Sequence, residues 1–274
     1  MSDLYLAALN SGSNANCYYV GNDREAVLID AGLSCRETAR RMKQLGLEMD
    51  RVKALFISHE HNDHIKGLPG LVRKYGWPVY ITPPTLRQAG LRIPPERTVA
   101  FEHGTPVPVG DLRITPFRKY HDAADPHSFI VSGHGLHVGV MTDIGHACPE
   151  VRMQFGQCHA AFLESNYCDT LLANGPYPFP LQERIRSDRG HLSNDQALDL
   201  FRQHRSAELR LLILSHLSQH NNHPLVVEEL FTPHAGTVRI AVASRYHPSD
   251  VFVVRGGPGA TTGAKPMQQL TLFG

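Results

Sequence analysis

The sequence predicts an α/β protein built from two β-sheets with helices on their outer faces, and three observations predict it. Short apolar runs of strand length at residues 4–9, 26–29, 54–57, 79–81 and 112–117 are punctuated by Gly, Pro and Asn, which makes the first half rich in strands. Segments with helical spacing and readable start signals lie between and after them. The order is strands, a helix, more strands, a long β-rich middle, then helix, strand, helix and strand. That order fits two covered sheets better than one doubly wound sheet.

Along the chain, the first helix is announced by Ser34 and Glu37, a capping-box pattern ahead of Ala39, Met42 and Leu45. The strand at 54–57 leads into an apolar pattern at Ile65, Leu68, Leu71 and Val72 that can open another helix. Further runs at 138–141, 160–163 and 211–214 read as strands, and residues 174–180 as a Pro-rich surface loop. Ser193 and Gln196 repeat the capping pattern ahead of Ala197, Leu200 and Phe201, and Pro224 suits the first turn of a third helix. Residues 256–266, rich in Gly, Thr, Ala and Pro, read as a flexible tether. One folded domain over 1–255 and a tail over 256–274 follow, a division that the length of 274 residues accommodates.

Lys and Arg total 27 against 26 Asp and Glu, so no global basic field marks a nucleic-acid binder and any such binding must be local. The 17 histidines stand out, because imidazole is neutral near pH 7 and is the commonest transition-metal ligand. Cys17, Cys35, Cys148, Cys158 and Cys168 contain no CxxC pair and read as reduced core thiols rather than a disulfide framework or zinc ribbon. No basic-then-apolar leader is seen, and no stretch reaches the roughly 18 apolar residues of a membrane span. A cytoplasmic protein with no membrane association is expected.

The chemistry concentrates after the strand at 54–57, in Ser58-His59-Glu60-His61-Asn62-Asp63-His64. Residues two apart in an extended segment project to one side, so His59 and His61 can chelate one ion. Asp63 and His64 sit where the chain turns into a helix and can reach a second. Three imidazoles and a carboxylate suit zinc, or manganese with its greater preference for oxygen. Two ions need more ligands, and His121, Asp143 and His216 each follow an apolar strand. Asp143, a carboxylate, is the natural bridge between two cations.

Asp30-Ala31-Gly32, the H-x-H-x-D-H segment, His121, Asp143 and His216, in that order, resemble the metallo-β-lactamase superfamily over nearly the whole chain. The resemblance implies an αβ/βα sandwich with two divalent ions, Zn2+ or Mn2+, at one edge. It assigns His59, His61 and His121 to the first ion, Asp63, His64 and His216 to the second, and Asp143 to both, with Asp30 supporting the site without binding metal.

Further phrases narrow the resemblance: residues 11–16 (Ser-Gly-Ser-Asn-Ala-Asn), His121-Asp122-Ala123-Ala124-Asp125-Pro126, Leu163-Glu164-Ser165-Asn166, Gly190-His191-Leu192-Ser193-Asn194 and Ser215-His216-Leu217-Ser218. They look like the YycJ-type (WalJ-like) bacterial proteins, relatives of tRNase Z and RNase J. Ala15 stands where that group usually has Gly, and Tyr167-Cys168 where it usually has His. The group implies phosphodiester hydrolysis on nucleic acid, including 5′-to-3′ exonuclease action on DNA. Two cations lower the pKa of a bridging water so that hydroxide exists at neutral pH, and Asp63 can orient it. His191, in a turn leading into a helix whose N-terminus favours phosphate, is assigned to the leaving oxygen, with Glu164 holding it in its donor state. Ser11, Ser13 and Asn16, with Ser193 and Asn194, are the expected substrate-binding residues. Arg184, Arg186 and Arg189 can contact a nucleic-acid backbone, whereas Arg40, Arg41 and Lys43 read as a solvated helix face.

Gln269, Leu270, Leu272 and Phe273, with Thr271 between them, resemble the peptide by which bacterial DNA polymerases and repair proteins dock on the sliding clamp. Docking would make the substrate DNA. The competing enzyme reading is a glyoxalase II-like thioesterase, since the metal core alone does not choose between acyl and phosphoryl chemistry; the Glu164/His191 pair favours phosphoryl transfer. A catalytically silent clamp-binding adaptor is disfavoured by the complete ligand set.

Overall fold

Along most strands of this chain alternate residues enter two different apolar layers, which is why the strands read as continuous hydrophobic runs. A computed structural model of the chain describes residues 3–256 and 263–265. It opens with an antiparallel meander, β1 (Leu4–Asn10), β2 (Cys17–Gly21) and β3 (Ala26–Ile29). Helix α1 (Cys35–Gln44) crosses to β4 (Val52–Phe56), parallel to β3. Helices α2 (Asn62–Ile65) and α3 (Leu68–Tyr75) lead to β5 (Val79–Tyr80), and α4 (Pro83–Ala89) to β6 (Thr98–Val99).

The second sheet begins with antiparallel β7 (Val107–Val109), β8 (Leu112–Arg118), β9 (His127–Gly133) and β10 (Leu136–Met141). After α5 (Pro149–Phe155) it continues in parallel as β11 (Ala160–Glu164). Helices α6 (Asp169–Asn174), α7 (Phe179–Arg186) and α8 (Asn194–His204) precede β12 (Leu211–Ser215), and α9 (Pro224–Phe231) precedes β13 (Arg239–Val242). The chain then returns to the first sheet through β14 (Val251–Val254), beside β1, and β15 (Gly263–Lys265). The sheets run β15-β14-β1-β2-β3-β4-β5-β6 and β13-β12-β11-β10-β9-β8-β7. This is the αβ/βα sandwich that the resemblance implied.

Three buried clusters account for it. Leu6, Val27, Phe56, Val140, Phe162 and Ile213 meet between the sheets. Leu9, Leu28 and Leu55 face outward under Met42, Leu68 and Leu71 of α1 and α3. Leu163, Leu212 and Leu214 face the other way, under Val151, Phe201 and Val227 of α5, α8 and α9. Burying each such side chain contributes about 1.5–3 kcal/mol. No helix among the described residues is long and apolar enough to cross a membrane.

Several sequence expectations change. The loop expected over 174–180 shrinks to 175–178, because α6 runs to Asn174 and the prolines around Phe179 open α7. Ser34 accepts from the Glu37 N–H, but the Glu37 carboxylate turns to Arg40 and Arg41 instead of completing the box; Ser193 and Gln196 form the full capping box. Arg41 is buried, not part of a solvated face: its guanidinium donates to Leu9 O, Asn10 Oδ1 and Tyr246 O, pinning the end of β1 to the loop after β13. Cys17, Cys148 and Cys158 are buried thiols, Cys35 and Cys168 half-buried, and none is paired. Within the expected tether, Gly263–Lys265 pairs with β14 along the edge that β1 leaves uncovered. The docking-peptide residues 269–273 lie outside the described residues.

Candidate metal centre

Strands β1, β3, β4, β8, β10, β11, β12 and β13 all deliver their carboxyl ends to one edge of the sandwich, which is where open α/β sheets bind ligands. Asp30 follows β3, the His59–His64 segment follows β4, His121 follows β8, Asp143 follows β10, Glu164 ends β11 and His216 follows β12. Asp30, Asp143 and His216 adopt left-handed backbone, with φ of 63°, 55° and 58°. Each such residue costs of order 1 kcal/mol, held here by the surrounding loops to turn a functional side chain sharply off its strand.

The donors converge. Ligand atoms of His59, His61 and His121 lie within 4.8 Å of one another, as do those of Asp63, His64 and His216, and those of His59, His64 and Asp143. Asp143 stands between the two outer groups, with Oδ2 3.3 Å from His64 Nε2, and Oδ1 3.4 Å from His216 Nδ1 and 3.8 Å from His121 Nε2.

Most imidazoles are held through their second nitrogen. His64 Nδ1 is 2.7 Å from Asp30 Oδ2, His121 Nδ1 2.9 Å from Gly190 O, His216 Nδ1 2.9 Å from Glu164 Oε1, and His59 Nδ1 2.8 Å from Ser58 Oγ. Such contacts select the tautomer that leaves Nε2 free to coordinate. His121 Nε2, His216 Nε2 and Asp143 Oδ2 are buried and make no hydrogen bond. A buried polar atom left so costs about 1–3 kcal/mol, and three in one donor-rich cluster fit a cation that all of them bind.

The electrostatics agree. Burial, with the nearby charge of His64, holds His59 well below its ordinary pKa, and burial takes His121 down to about 3, so both are neutral as ligands must be. Burial also opposes charge on His64 and His216, but carboxylates outweigh it: Asp143, Asp30 and Asp63 raise His64, and Asp143, Asp63 and Glu164 raise His216 to about 10. Asp63 and Asp143 are correspondingly held well down, against their own burial. This half of the cluster carries surplus negative charge, which a cation neutralises.

The loops are stapled together by main chain. Asn16 N donates to Asp63 O, Gly32 N to Asn16 O and Ala31 N to His64 O. A Cβ on Gly32 would lie 1.7 Å from Asp63 O, so the glycine of the Asp-Ala-Gly segment is what lets this strand end approach the ligand turn. Asp30 accepts from Ser58 N and Ser58 Oγ as well as facing His64.

Glu164 is buried and saturated. Its Oε1 lies 2.9 Å from both His191 Nδ1 and His216 Nδ1, while Oε2 accepts from Ile144 N and Leu192 N. Burial opposes its charge, yet His191 and His216 bring it down to about 2. His191 lines a cavity of about 220 Å³ together with Asp63, His121, Asp143, His216 and Arg184. Of the expected substrate-binding residues only Ser13 lines that cavity. Ser11 is buried, with Oγ accepting from His216 N and bonded to Tyr18 Oη. Asn16 Nδ2 donates to Asp63 Oδ2 and lies 3.1 Å from His64 Nε2. Ser193 caps α8, and Asn194 bonds Ser165 and Asn222. These four side chains are taken up by the protein's own hydrogen bonds, a partition that local sequence reveals only for the Ser193 cap.

Three contributors escaped the sequence reading. Asp122 sits 3.4 Å from His121 Nε2 and accepts from Arg184 Nε at 2.6 Å, linking α7 to the cavity mouth. Lys119 is buried, its pKa lowered by burial, and donates to Thr142 O beside Asp143. Asn166 Nδ2 donates to His216 O. Proximity to His121 and membership of the Leu-Glu-Ser-Asn phrase were the available signals.

A fold with both sheets covered, and a cluster of five imidazoles and two carboxylates at its carboxyl edge, define a metal-dependent hydrolase. The chain belongs to the metallo-β-lactamase superfamily: residues 25–217 match the family described as the beta-lactamase superfamily domain. It is 34% identical over 222 residues, 80% of its length and 84% of the relative's, to Exodeoxyribonuclease YycJ of Bacillus anthracis. It is 29% identical over 219 residues to Exodeoxyribonuclease WalJ of Streptococcus pneumoniae, covering 78% of this chain and 81% of that one. Among solved structures, the metallo-beta-lactamase fold protein YhfI of Bacillus subtilis matches with a TM-score of 0.68 at 16% identity, covering 90% of this chain and 99% of that one, which is a likeness of fold. The donor set accommodates divalent metal ions.

Proposed function

We propose that the chain is a dinuclear phosphodiesterase acting on nucleic acid, and specifically a 5′-to-3′ exonuclease on DNA. The observation that carries this is the buried Glu164 holding His191 at the wall of the cavity that the metal donors share, in a chain similar over most of its length to exodeoxyribonucleases. His59, His61 and His121 would hold one ion, Asp63, His64 and His216 the other, with Asp143 serving both. This nitrogen-rich set suits Zn2+, with Mn2+ the alternative. When bound, two such ions supply an acidified water at neutral pH and stabilise charge on the non-bridging phosphate oxygens.

The chain's own groups do the rest. Asp63 orients the attacking water. With Nδ1 held by Glu164, His191 offers Nε2 to the leaving sugar oxygen and gives it a proton as the P–O bond breaks, while the water oxygen bonds to phosphorus and its proton is released to solvent, from which His191 is reprotonated. Arg184, paired with Asp122 at the cavity wall, lies within reach of the strand's phosphates. A DNA substrate places the enzyme in the cytoplasm, and the tail at 269–273 would dock on the sliding clamp through Leu272 and Phe273, serving DNA repair.

The test incubates purified protein of known metal content with 5′-phosphorylated duplex DNA, single strands and RNA in parallel, beside a H61A control. Progressive loss from the 5′ end of DNA, absent in the control, is expected; two bound ions without cleavage of any of the three would refute the reading. A synthetic peptide of residues 266–274 should bind purified clamp, and no binding at high micromolar concentration would remove the docking role.

A further inference from the structure

The loops that follow β1, β12 and β13 enclose a second cavity of about 280 Å³ on the same edge of the sandwich. Ser218 lines both this cavity and the metal-centre cavity, and the loop after β1 contributes Ser11 to one and Ser13 to the other, so the two adjoin. Their chemistry is opposite. Asp63, Asp122 and Asp143 line the first, whereas no carboxylate lines the second among the described residues.

Arg245 brings to the second cavity a guanidinium whose Nη1 is buried and makes no hydrogen bond. An unpaired buried cationic donor is unfavourable until an acceptor arrives, and a phosphate oxygen is the acceptor a guanidinium fits best. Beside it Tyr246 leaves its side chain 70% exposed, with the Arg245 guanidinium carbon 5.9 Å from the ring centroid. An aromatic face next to a cationic donor is how single strands are held without reading their sequence. The loop itself is fixed through main chain, since Asn14 Nδ2 donates to Arg245 O and Arg41 Nη2 to Tyr246 O. Truncating either side chain leaves those anchors in place.

We propose that this cavity is the subsite for the nucleotide adjoining the scissile phosphate, with Arg245 taking its phosphate and Tyr246 stacking on its base. The assignment rests on the nucleic-acid reading above and extends it to a strand that must occupy both cavities at once.

The test is fluorescence anisotropy of a labelled single-stranded phosphorothioate oligothymidine, which resists turnover, with the metal-loaded full chain across a salt series. R245A should bind about ten-fold more weakly, and the slope of log affinity against log salt should fall in magnitude by about 0.7, the share of one phosphate on a single strand. Y246A should weaken binding several-fold with no change in that slope, because stacking releases no counterion. R245K should keep the slope while losing part of the affinity, and together with Y246A it decides the matter if R245A does not fold. Wild-type affinity and slope in R245A, or in Y246A and R245K wild-type affinity throughout, would overturn the subsite alone. A wild type that neither binds nor cleaves any strand would fail the nucleic-acid reading and the subsite with it.

Discussion

Replacing Glu164 with glutamine probes the centre at its most connected residue. The carboxylate accepts four hydrogen bonds, from His191 and His216 Nδ1 at 2.9 Å each, and from Ile144 N at 2.7 Å and Leu192 N at 3.2 Å. Glutamine keeps the shape but makes one end a donor. If its oxygen stays with the backbone pair, its NH2 meets the two Nδ1 atoms and both imidazoles must move their proton to Nε2. That is the nitrogen His216 turns into the donor cluster, and once protonated it binds no cation. If the amide flips, two buried N–H groups face an NH2 instead. Either way two bonds to a charged acceptor are lost, each worth about 1.5–3 kcal/mol, so about 3–6 kcal/mol is divided between folding and metal affinity. Metal affinity and turnover should each fall about 10- to 100-fold. Whatever share falls on folding lowers the Tm by about 2–4 °C per kcal/mol. Competition against a chromogenic chelator measures the affinity, and melting in EDTA the stability. E164Q with wild-type metal affinity and wild-type Tm would refute the claim that Glu164 sets the tautomer of His216.

H61A should lose more than about 100-fold in activity while its Tm moves by no more than about 2 °C, since the His61 side chain is one-third exposed and carries little of the core; metal content and melting read on one preparation check both. Gly32→Ala should destabilise by at least about 3 kcal/mol, because the new methyl would sit 1.7 Å from Asp63 O and 2.6 Å from Asn16 N, both main chain; a urea midpoint equal to wild type would contradict it. For His216, whose pKa rises from 6.5 to about 10, the proton is bound more tightly in the fold than in the unfolded chain. Its stabilisation is therefore complete below pH 6.5 and lost as pH climbs towards 10, so the Tm of the chelated protein should fall across that window. A cation must displace the same proton, so metal binding should release protons at pH 7 and tighten as pH rises; calorimetry in buffers of different ionisation enthalpy should show that release, and buffer-independent heats would contradict it.

Much of the candidate donor set was legible because it is local. His59, His61, Asp63 and His64 lie in one turn whose spacing alone permits chelation, and His121, Asp143 and His216 carry the visible mark of a polar residue closing an apolar strand. The two-sheet architecture was likewise written in the order and length of the apolar runs, since strands covered on both faces need no alternation. Local sequence did not show which partner a polar residue would take where several were possible. Ser11, Asn16 and Asn194 have the composition of a substrate loop, and their side chains are engaged from other loops, by His216 N, Asp63 and Asn222. Arg41 looked solvated among charged neighbours until the loops after β1 and β13 closed over it. Arg245 and Tyr246 carry no motif at all.

The sequence by itself thus determined the fold class and picked out the candidate donors that the fold brings together, because periodicity and spacing are properties of neighbouring residues. Only the tertiary structure decided which groups hold those donors in register, and where a strand could lie beside them. Those contacts join residues 205 positions apart, as between Ser11 and His216, and 231 apart, as between Asn14 and Arg245, and arise only when eight strands deliver their carboxyl ends to one edge.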